Sequence, residues 1–328
     1  MRIITAGAVA NDHLMTFPGR FADQLLAGSL ERVSLSFLVD DLNVYPGGTG
    51  ANVAYAAGLL GVRPTFVAAV GSDFAGAGRT WLDDHGVDTR FLRVSTTRHT
   101  ARFTNTSDTQ GAQIGSFYPG AMVEASEIRL GPIVAELGGV DVVLLSPDDP
   151  QAMLRYADEC RAAGWRFWAD IGQQIARFDA EEVTRFVTGA AYLFTNSYEA
   201  ELVEHRTGWT VDEALSRVGT WIVTHGPEPI EIRRSGAEPV RVPIVRADRA
   251  VDPTGAGDAF RGGFLAGHSW GLADERAAQV GAAIAAFSVE SVGPQEYQLT
   301  IPSLVDRIRA TYGDAAADEI AKAATDAS

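Results

Sequence analysis

The sequence predicts a doubly wound α/β fold, with a mostly parallel central sheet, helices on both faces and a small β-sheet lid. Three observations predict it. Short apolar runs of strand length alternate with helix-length amphipathic segments through most of the 328 residues. Buried strands separated by helices imply parallel pairing through helical crossovers. No repeat, low-complexity segment or linker interrupts the pattern, so residues 1–328 read as one domain.

Strand-like runs occupy 3–7, 65–70, 141–145, 166–170, 192–195 and 221–224. Between them lie amphipathic stretches at 52–60, 76–85, 150–163, 181–187 and 198–206. Residues 230–234 and 240–245 flank Ser235-Gly236 and read as a hairpin. The pattern is helical from Asp258 to about residue 289 and again after Pro302; the alanine-rich stretch 314–328 reads as a frayed surface helix. Two stretches break the rhythm. Residues 30–44 partly alternate, as do parts of 96–118, which suits antiparallel strands with one exposed face. They predict a β subdomain, approximately 13–46 and 96–120, covering the edge of the sheet where ligands bind, beyond the carboxyl ends of the strands.

Composition narrows the chemistry. The net charge of −15 argues against nucleic-acid binding, which rests on neutralising phosphates with Lys and Arg. Among 27 basic residues the only lysine is Lys322. A Walker-type loop, the strand lysine of a protein kinase and a Schiff-base lysine are therefore missing from the body of the chain. Any phosphate chemistry must use backbone amides, helix N-termini, arginine or a metal. Cys160 is the only cysteine, which rules out an intrachain disulfide and CxxC metal sites; in its helical pattern it reads as a small apolar filler. The six histidines are scattered, with no HExxH pair. The first twenty residues have no basic flank leading into an apolar run, and no run reaches about 18 apolar residues, so no membrane association and a cytoplasmic location are expected.

The strongest chemical signal is Asp252-Pro253-Thr254-Gly255-Ala256-Gly257-Asp258-Ala259-Phe260, which opens a long helix after an extended run. Gly255 and Gly257 let the backbone turn sharply against a ligand. The amides at the helix start and the helix dipole favour an anion there. Asp258, kept ionised by that dipole, could accept a proton from a hydroxyl as an O–P bond forms, or could simply cap the helix. Gly47-Gly48-Thr49-Gly50-Ala51-Asn52 also precedes a helix and could be a plain turn. Asn196-Ser197-Tyr198-Glu199 follows a strand and reads as an N-cap with Glu at the third helical position.

Together these motifs resemble the ribokinase-like (phosphofructokinase B-type) carbohydrate and nucleoside kinases, over nearly the whole chain. The resemblance implies Asp258 as catalytic base and Gly255, Ala256 and Gly257 as an anion hole. It implies Gly48 against a sugar, Asn52 on its hydroxyls, and Asp12 accepting hydrogen bonds from two vicinal ribose hydroxyls. Asn196 and Glu199 become the N-x-x-E element that acts on the phosphates and, through water, on Mg²⁺; Thr224 and Gly226 would touch ATP, although Pro227-Glu228-Pro229 departs from the usual pattern. A K⁺ site beside the anion hole, through carbonyls near Asp252 and Val292–Gly293, is a further implication, and Arg102 or Arg177 could assist. Within the family, 34–42 (SLSFLVDDL), 99–104 (HTARFT), 116–122 (SFYPGAM) and Gln173-Gln174 resemble adenosine kinases of the actinobacterial type. Ala8 stands where that group carries a hydroxyl. Phe103 and Phe117 would clamp a purine, and Ser36, Gln173 and Gln174 would supply hydrogen bonds. The expectation is an adenosine kinase using Mg·ATP and pairing through its lid strands as a homodimer. The rivals are a ribose- or fructose-type sugar kinase, a broader purine nucleoside kinase, and a nucleoside-binding regulator without activity.

Overall fold

The parallel core of the central sheet comprises β1 (Ile3–Ala6), β4 (Thr65–Val67), β9 (Val142–Leu145), β10 (Phe167–Asp170), β11 (Tyr192–Asn196) and β12 (Thr220–His225). The hairpin strands β13 (Glu228–Arg233) and β14 (Val240–Val242) extend it antiparallel. In the structure, a computed structural model describing residues 1–24 and 36–327, the strand order is β14–β13–β12–β11–β10–β9–β1–β4. The strands are short and apolar because both faces are covered. Val142 and Leu144 of β9 point into one core and Val143 and Leu145 into the other, the period-two alternation of a strand.

The first core packs α2 (Thr49–Leu59), α3 (Ala77–Asp84), α9 (Ala256–Ser269), α10 (Asp274–Val289), α11 (Ile301–Tyr312) and α12 (Asp314–Asp326) on one face. The second packs α4 (Leu130–Glu136), α5 (Pro150–Ala163), α6 (Ala180–Val187), α7 (Ser197–Thr207) and α8 (Val211–Leu215) on the other. Local chemistry sets the helix ends. Asp149 accepts from the amides of Gln151 and Ala152 at the start of α5, and Gly164 ends it in the left-handed region. Cys160 is buried in the second core and burial pushes its thiol up to about 12, as a filler should behave. The frayed surface helix expected at 314–328 is instead a docked one: Ala316, Ala317 and Ile320 of α12 are buried in the first core. Small side chains make a flat face that packs closely, and composition alone concealed it.

The lid is a separate four-stranded sheet, ordered β3–β2–β7–β8: β2 (Ala10–Thr16), β3 (Asp41–Gly47), β7 (Ala101–Ser107) and β8 (Gln113–Tyr118). Strand β2 is parallel to β7 and antiparallel to β3, and β7 is antiparallel to β8. Two expectations change. Asp12, placed by sequence just past the first strand, lies within β2, whose polar run ANDHLMT hides the strand. The strand expected from residue 30 begins at Asp41; residues 25–35, including Ser34 and Leu35, lie outside the described residues. The run 65–70 also splits, because the chain leaves the main sheet at Ala68 to form β5 (Ala69–Gly71), which pairs with β6 (Arg93–Ser95). A short helix, α1 (Phe21–Gln24), follows β2. Strand β1 has β4 on one side and β9 on the other. The chain reverses its winding there, and a ligand crevice opens beyond the carboxyl ends of such strands. Strand β2 starts four residues past β1 and overhangs that crevice.

Candidate active site

The site is built around the first turn of α9. Gly255 caps it with φ +80°, and a Cβ there would sit 2.4 Å from Pro294 Cβ, so only glycine fits this turn. Ala259 N–H is the first to reach back to the Gly255 carbonyl. The Gly257 and Asp258 amides precede that bond and have no partner four residues back. Ala256 N–H is turned onto the Pro253 carbonyl at 3.2 Å. Asp258 thus occupies the third position of a helix whose dipole favours anions.

Asp258 keeps some access to the cavity, yet burial is the largest influence on it and pushes its carboxyl up to about 6. Arg261 and a hydrogen bond from Asn52 pull it down, and Glu199 pushes it up again. The Asn52 Nδ2 donates to Asp258 Oδ2 at 2.8 Å, and Asn52 Oδ1 accepts from Gln295 Nε2 at 2.9 Å. Both amides are buried.

One turn further along α9, Arg261 is 6% exposed and lies among carboxylates. Its Nη2 is 2.8 Å from Asp170 Oδ1 and 3.9 Å from Glu199 Oε2, and its Nη1 donates to the Gly257 carbonyl at 2.9 Å. Asp170 ends β10 and is wholly buried; burial pushes it up to about 7 although Arg261 pulls it down. Glu199 completes a capping box with Asn196, accepting from the Asn196 amide at 2.8 Å. These groups line a cavity of about 890 Å³ that also takes in Thr49, Gln173, Thr224 and Gly226. Its remaining wall is mostly apolar, with Ile230, Ile244, Val245, Ala282, Ala286 and Val289.

Across the crevice, the lid presents a row. Tyr45, Asp12, Phe103 and Phe117 are register partners on four adjacent strands, so they share one face. That face looks at α9 and the loop after α10. A Cβ on Gly293 would meet the Tyr45 ring at 2.7 Å. Asp12 is pushed up to about 6, first by burial and then by the charges of Asp258 and Asp252. Phe103 and Phe117 remain 36% and 51% exposed, large rings with no core to fill.

A glycine-turned helix start, a buried carboxylate and a lid with a second carboxylate suit phosphoryl transfer to a polyol. The family model for pfkB family carbohydrate kinases matches residues 8–301. The chain belongs to that family. Among solved structures, this pfkB-family kinase is 33% identical to the nucleoside kinase of Burkholderia thailandensis in complex with inosine, with a TM-score of 0.81 over 95% of this chain and 98% of that one. It is 28% identical over 274 residues to the nucleoside kinase of Methanocaldococcus jannaschii, 83% of this chain and 88% of that one. The structure of that protein superposes with a TM-score of 0.83. An adenosine kinase of Saccharomyces cerevisiae is 41% identical, over only 76 residues, 23% of this chain and 22% of that one.

The pfkB-family kinase gathers most of the residues singled out from its sequence. Asn196, Glu199, Thr224, Gly226, Gln173, Ala256, Gly257 and Asp258 line one cavity, and Asp12, Phe103 and Phe117 share the lid face. The structure gives three others a local setting. Gly48 is required by its own chain: with φ +92°, a Cβ would lie 2.6 Å from the Ala8 carbonyl and the Ala10 amide. Gln174 is buried and donates to the Asp148 carbonyl at 2.7 Å. Ser36 is exposed in the coil before β3. Arg102 lies on the opposite lid face from Phe103 and Arg177 is exposed, whereas Arg261 lines the cavity. Arg261, Asp170 and Gln295 are residues that sequence reasoning missed. Arg261 stands three residues after Asp258, on the same helix face, and Asp170 is an acid closing an apolar strand, so both left a signal. Gln295, in a loop, left none.

Proposed function

We propose that this kinase transfers the γ-phosphoryl group of ATP to the 5′-hydroxyl of purine nucleosides, adenosine first among them. The observation that carries this reading is the lid row, where two exposed aromatic rings stand beside a carboxylate that faces Asp258. A purine offers a flat π-face, and stacking one on an aromatic ring is worth roughly 1–3 kcal/mol. A free sugar has no such face. A broader purine range has support of its own, in the inosine bound to the relative at 33% identity.

In this reading Asp12 accepts hydrogen bonds from the vicinal ribose hydroxyls. Asp258, with Oδ2 held by Asn52, takes the 5′-hydroxyl proton on its other oxygen. As that proton leaves, the substrate oxygen bonds to the γ-phosphorus and the bond to the β-phosphate oxygen breaks, releasing ADP. A carboxyl near 6 is mostly ionised at pH 7 yet basic enough for the task. The Gly257 and Asp258 amides meet the negative charge of the transferring group. ATP would lie along the cavity, past Thr224 and Gly226. Among the described residues no trio of His, Cys, Asp or Glu could cage a metal. A magnesium ion brought by the nucleotide would be held through water by Asn196 and Glu199, which both line the cavity. Bound there, it would supply charge neutralisation on the phosphates. Lid closure would exclude water and suppress ATP hydrolysis.

The test is ADP release with adenosine, inosine, guanosine, cytidine, ribose and fructose in turn. Purine nucleosides should have the highest kcat/KM; a free sugar turned over better than every nucleoside would refute the proposal. We also propose that the lids pair two copies, since among the described residues both outer strands β3 and β8 leave an edge to be covered. Light scattering at micromolar concentration should then find a dimer, and a monomer alone would reject it.

A further inference from the structure

Asn52, Gln295 and Trp81 form a hydrogen-bond chain behind the base. Trp81 Nε1–H donates to Gln295 Oε1 at 3.2 Å, Gln295 Nε2 donates to Asn52 Oδ1 at 2.9 Å, and Asn52 Nδ2 donates to Asp258 Oδ2 at 2.8 Å. The four residues come from α3, the loop after α10, α2 and α9, far apart in sequence. Gln295 is 1% exposed and Asn52 is 5% exposed, so a lost partner leaves a buried amide unsatisfied.

The chain has a direction. An amide side chain can turn over and exchange its oxygen for its nitrogen, so neither Asn52 nor Gln295 alone fixes what meets Asp258. An indole is a donor only. Facing it, Gln295 must present Oε1, which leaves Nε2 for Asn52. Asn52 must then present Oδ1 to Gln295 and Nδ2 to Asp258. We infer that Trp81 and Gln295 are positioning residues for the transfer, which keep an N–H of Asn52, and never its carbonyl, on the carboxylate of the base. The donated bond holds one oxygen of Asp258 and leaves the other toward the cavity. It also favours the charged form, as any hydrogen bond to a carboxylate does. Trp81 is itself held, stacked parallel to Tyr55 at 6.2 Å, and the Tyr55 hydroxyl is bonded to the Tyr297 carbonyl at 2.8 Å.

This inference rests on Asp258 being the base, and it is tested with Trp81→Phe and Gln295→Met. The first keeps the ring and removes the donor; the second keeps the length and removes both polar atoms. Two readouts are compared with wild type: the pH profile of kcat/KM, and the titration of the Asp258 carboxyl carbon by ¹³C NMR in protein without substrate, assigned by its loss in Asp258→Asn. The other charged or titratable groups around Asp258, namely Arg261 on its own helix, Glu199 on α7, Asp170 on β10, Asp12 on the lid and Tyr297, are the same in every variant. Both substitutions should lower kcat about tenfold, leave the ATP KM within about twofold, and move the acidic limb and the carbon titration to higher pH. A merely structural role would lower stability and leave both titrations in place. If either folded variant titrates as wild type does, the chain has no positioning role. Were no nucleoside turned over even by wild type, the functional reading would fall, while the carbon titration would still decide the chain.

Discussion

Arg261→Met should destabilise the protein, and the loss should grow with pH above neutrality. The guanidinium is buried against Asp170 at 2.8 Å and holds the Gly257 carbonyl at 2.9 Å. Asp170 has a folded pKa of about 7, far above the roughly 3.9 of an unfolded aspartate. Its contribution is therefore a cost: absent below pH 4, growing as pH rises towards 7, then level once the group is ionised in both states. Without Arg261 the pull on Asp170 disappears and its folded pKa rises further. The cost then continues to grow beyond pH 7, at about 1.4 kcal/mol per pH unit. Near pH 6 Asp170 is mostly protonated in both proteins, and the gap reflects the lost bond to Gly257, the buried stem and the neighbouring Glu199 and Asp258. By pH 8.5 it should be wider by about 1–2 kcal/mol, within the roughly 3–5 kcal/mol typical of breaking a buried pair.

Urea unfolding at pH 6, 7, 8 and 8.5, followed by tryptophan fluorescence, measures the gap directly. Asp170→Asn, added to Arg261→Met, should remove the part of the pH dependence that arises above pH 7 from Asp170 and leave only the part that Asp258 contributes, since Arg261 also pulls that carboxyl down. A gap that is constant in pH, or that narrows as pH rises, would show that the arginine does not hold a charged Asp170 and would refute the argument.

Three shorter expectations concern catalysis. Asp258→Asn should lower kcat by about 10² or more with little change in either KM, and a variant keeping over a third of wild-type turnover would remove Asp258 as base. Phe117→Ala should raise the adenosine KM about tenfold with only a modest change in thermal stability, because half of the ring is already exposed; early melting with normal KM would make it a packing residue. The Asp252 carboxylate accepts from Gly293 N–H at 3.2 Å, bringing together the two segments whose carbonyls could hold K⁺. Activity should therefore be higher in potassium than in tetramethylammonium buffer, and equal rates would reject a cation site there.

Much of the architecture was legible because the strands of the main sheet are apolar on both faces and the helices between them carry their own stop and start signals. Asp149 before Pro150, and Asn196 before Glu199, mark helix starts in sequence and cap them in the structure. The lid was harder. Strand β2 is polar, held by partners 30 and 90 residues away in the chain, so its strand character comes from pairing that no local window contains. The site divides the same way. Residues in motifs were visible: Asp258, Asn196 and Glu199. Residues that act across the fold were not. Asn52 was assigned to sugar hydroxyls, yet its described side-chain bonds go to Asp258 and Gln295, and Gln295 enters only because its loop is folded back over α2.

The missing lysine takes on a sharper meaning once the arginine is located. A chain whose one lysine is not in the cavity wall would meet the charge of a triphosphate by other means. Arg261 looks like the obvious substitute, being in the cavity wall beside Asp258. Its fork is already committed to Asp170 and to the Gly257 carbonyl, however, and Asp170, Glu199 and Asp258 outnumber it in charge. Its work is to make that cluster of acids tolerable and to hold the Gly257 peptide in place, so that the amides of the α9 start stay aimed at the cavity. Three carboxylates facing a triphosphate would repel it. In the proposed reaction the compensation would come from those amides, from Arg246 at the exposed rim, and from a cation carried in with the nucleotide. On that proposal, a wall short of positive charge would disfavour bare ATP and accept its metal complex, so that the acids would select the form in which the phosphoryl donor enters.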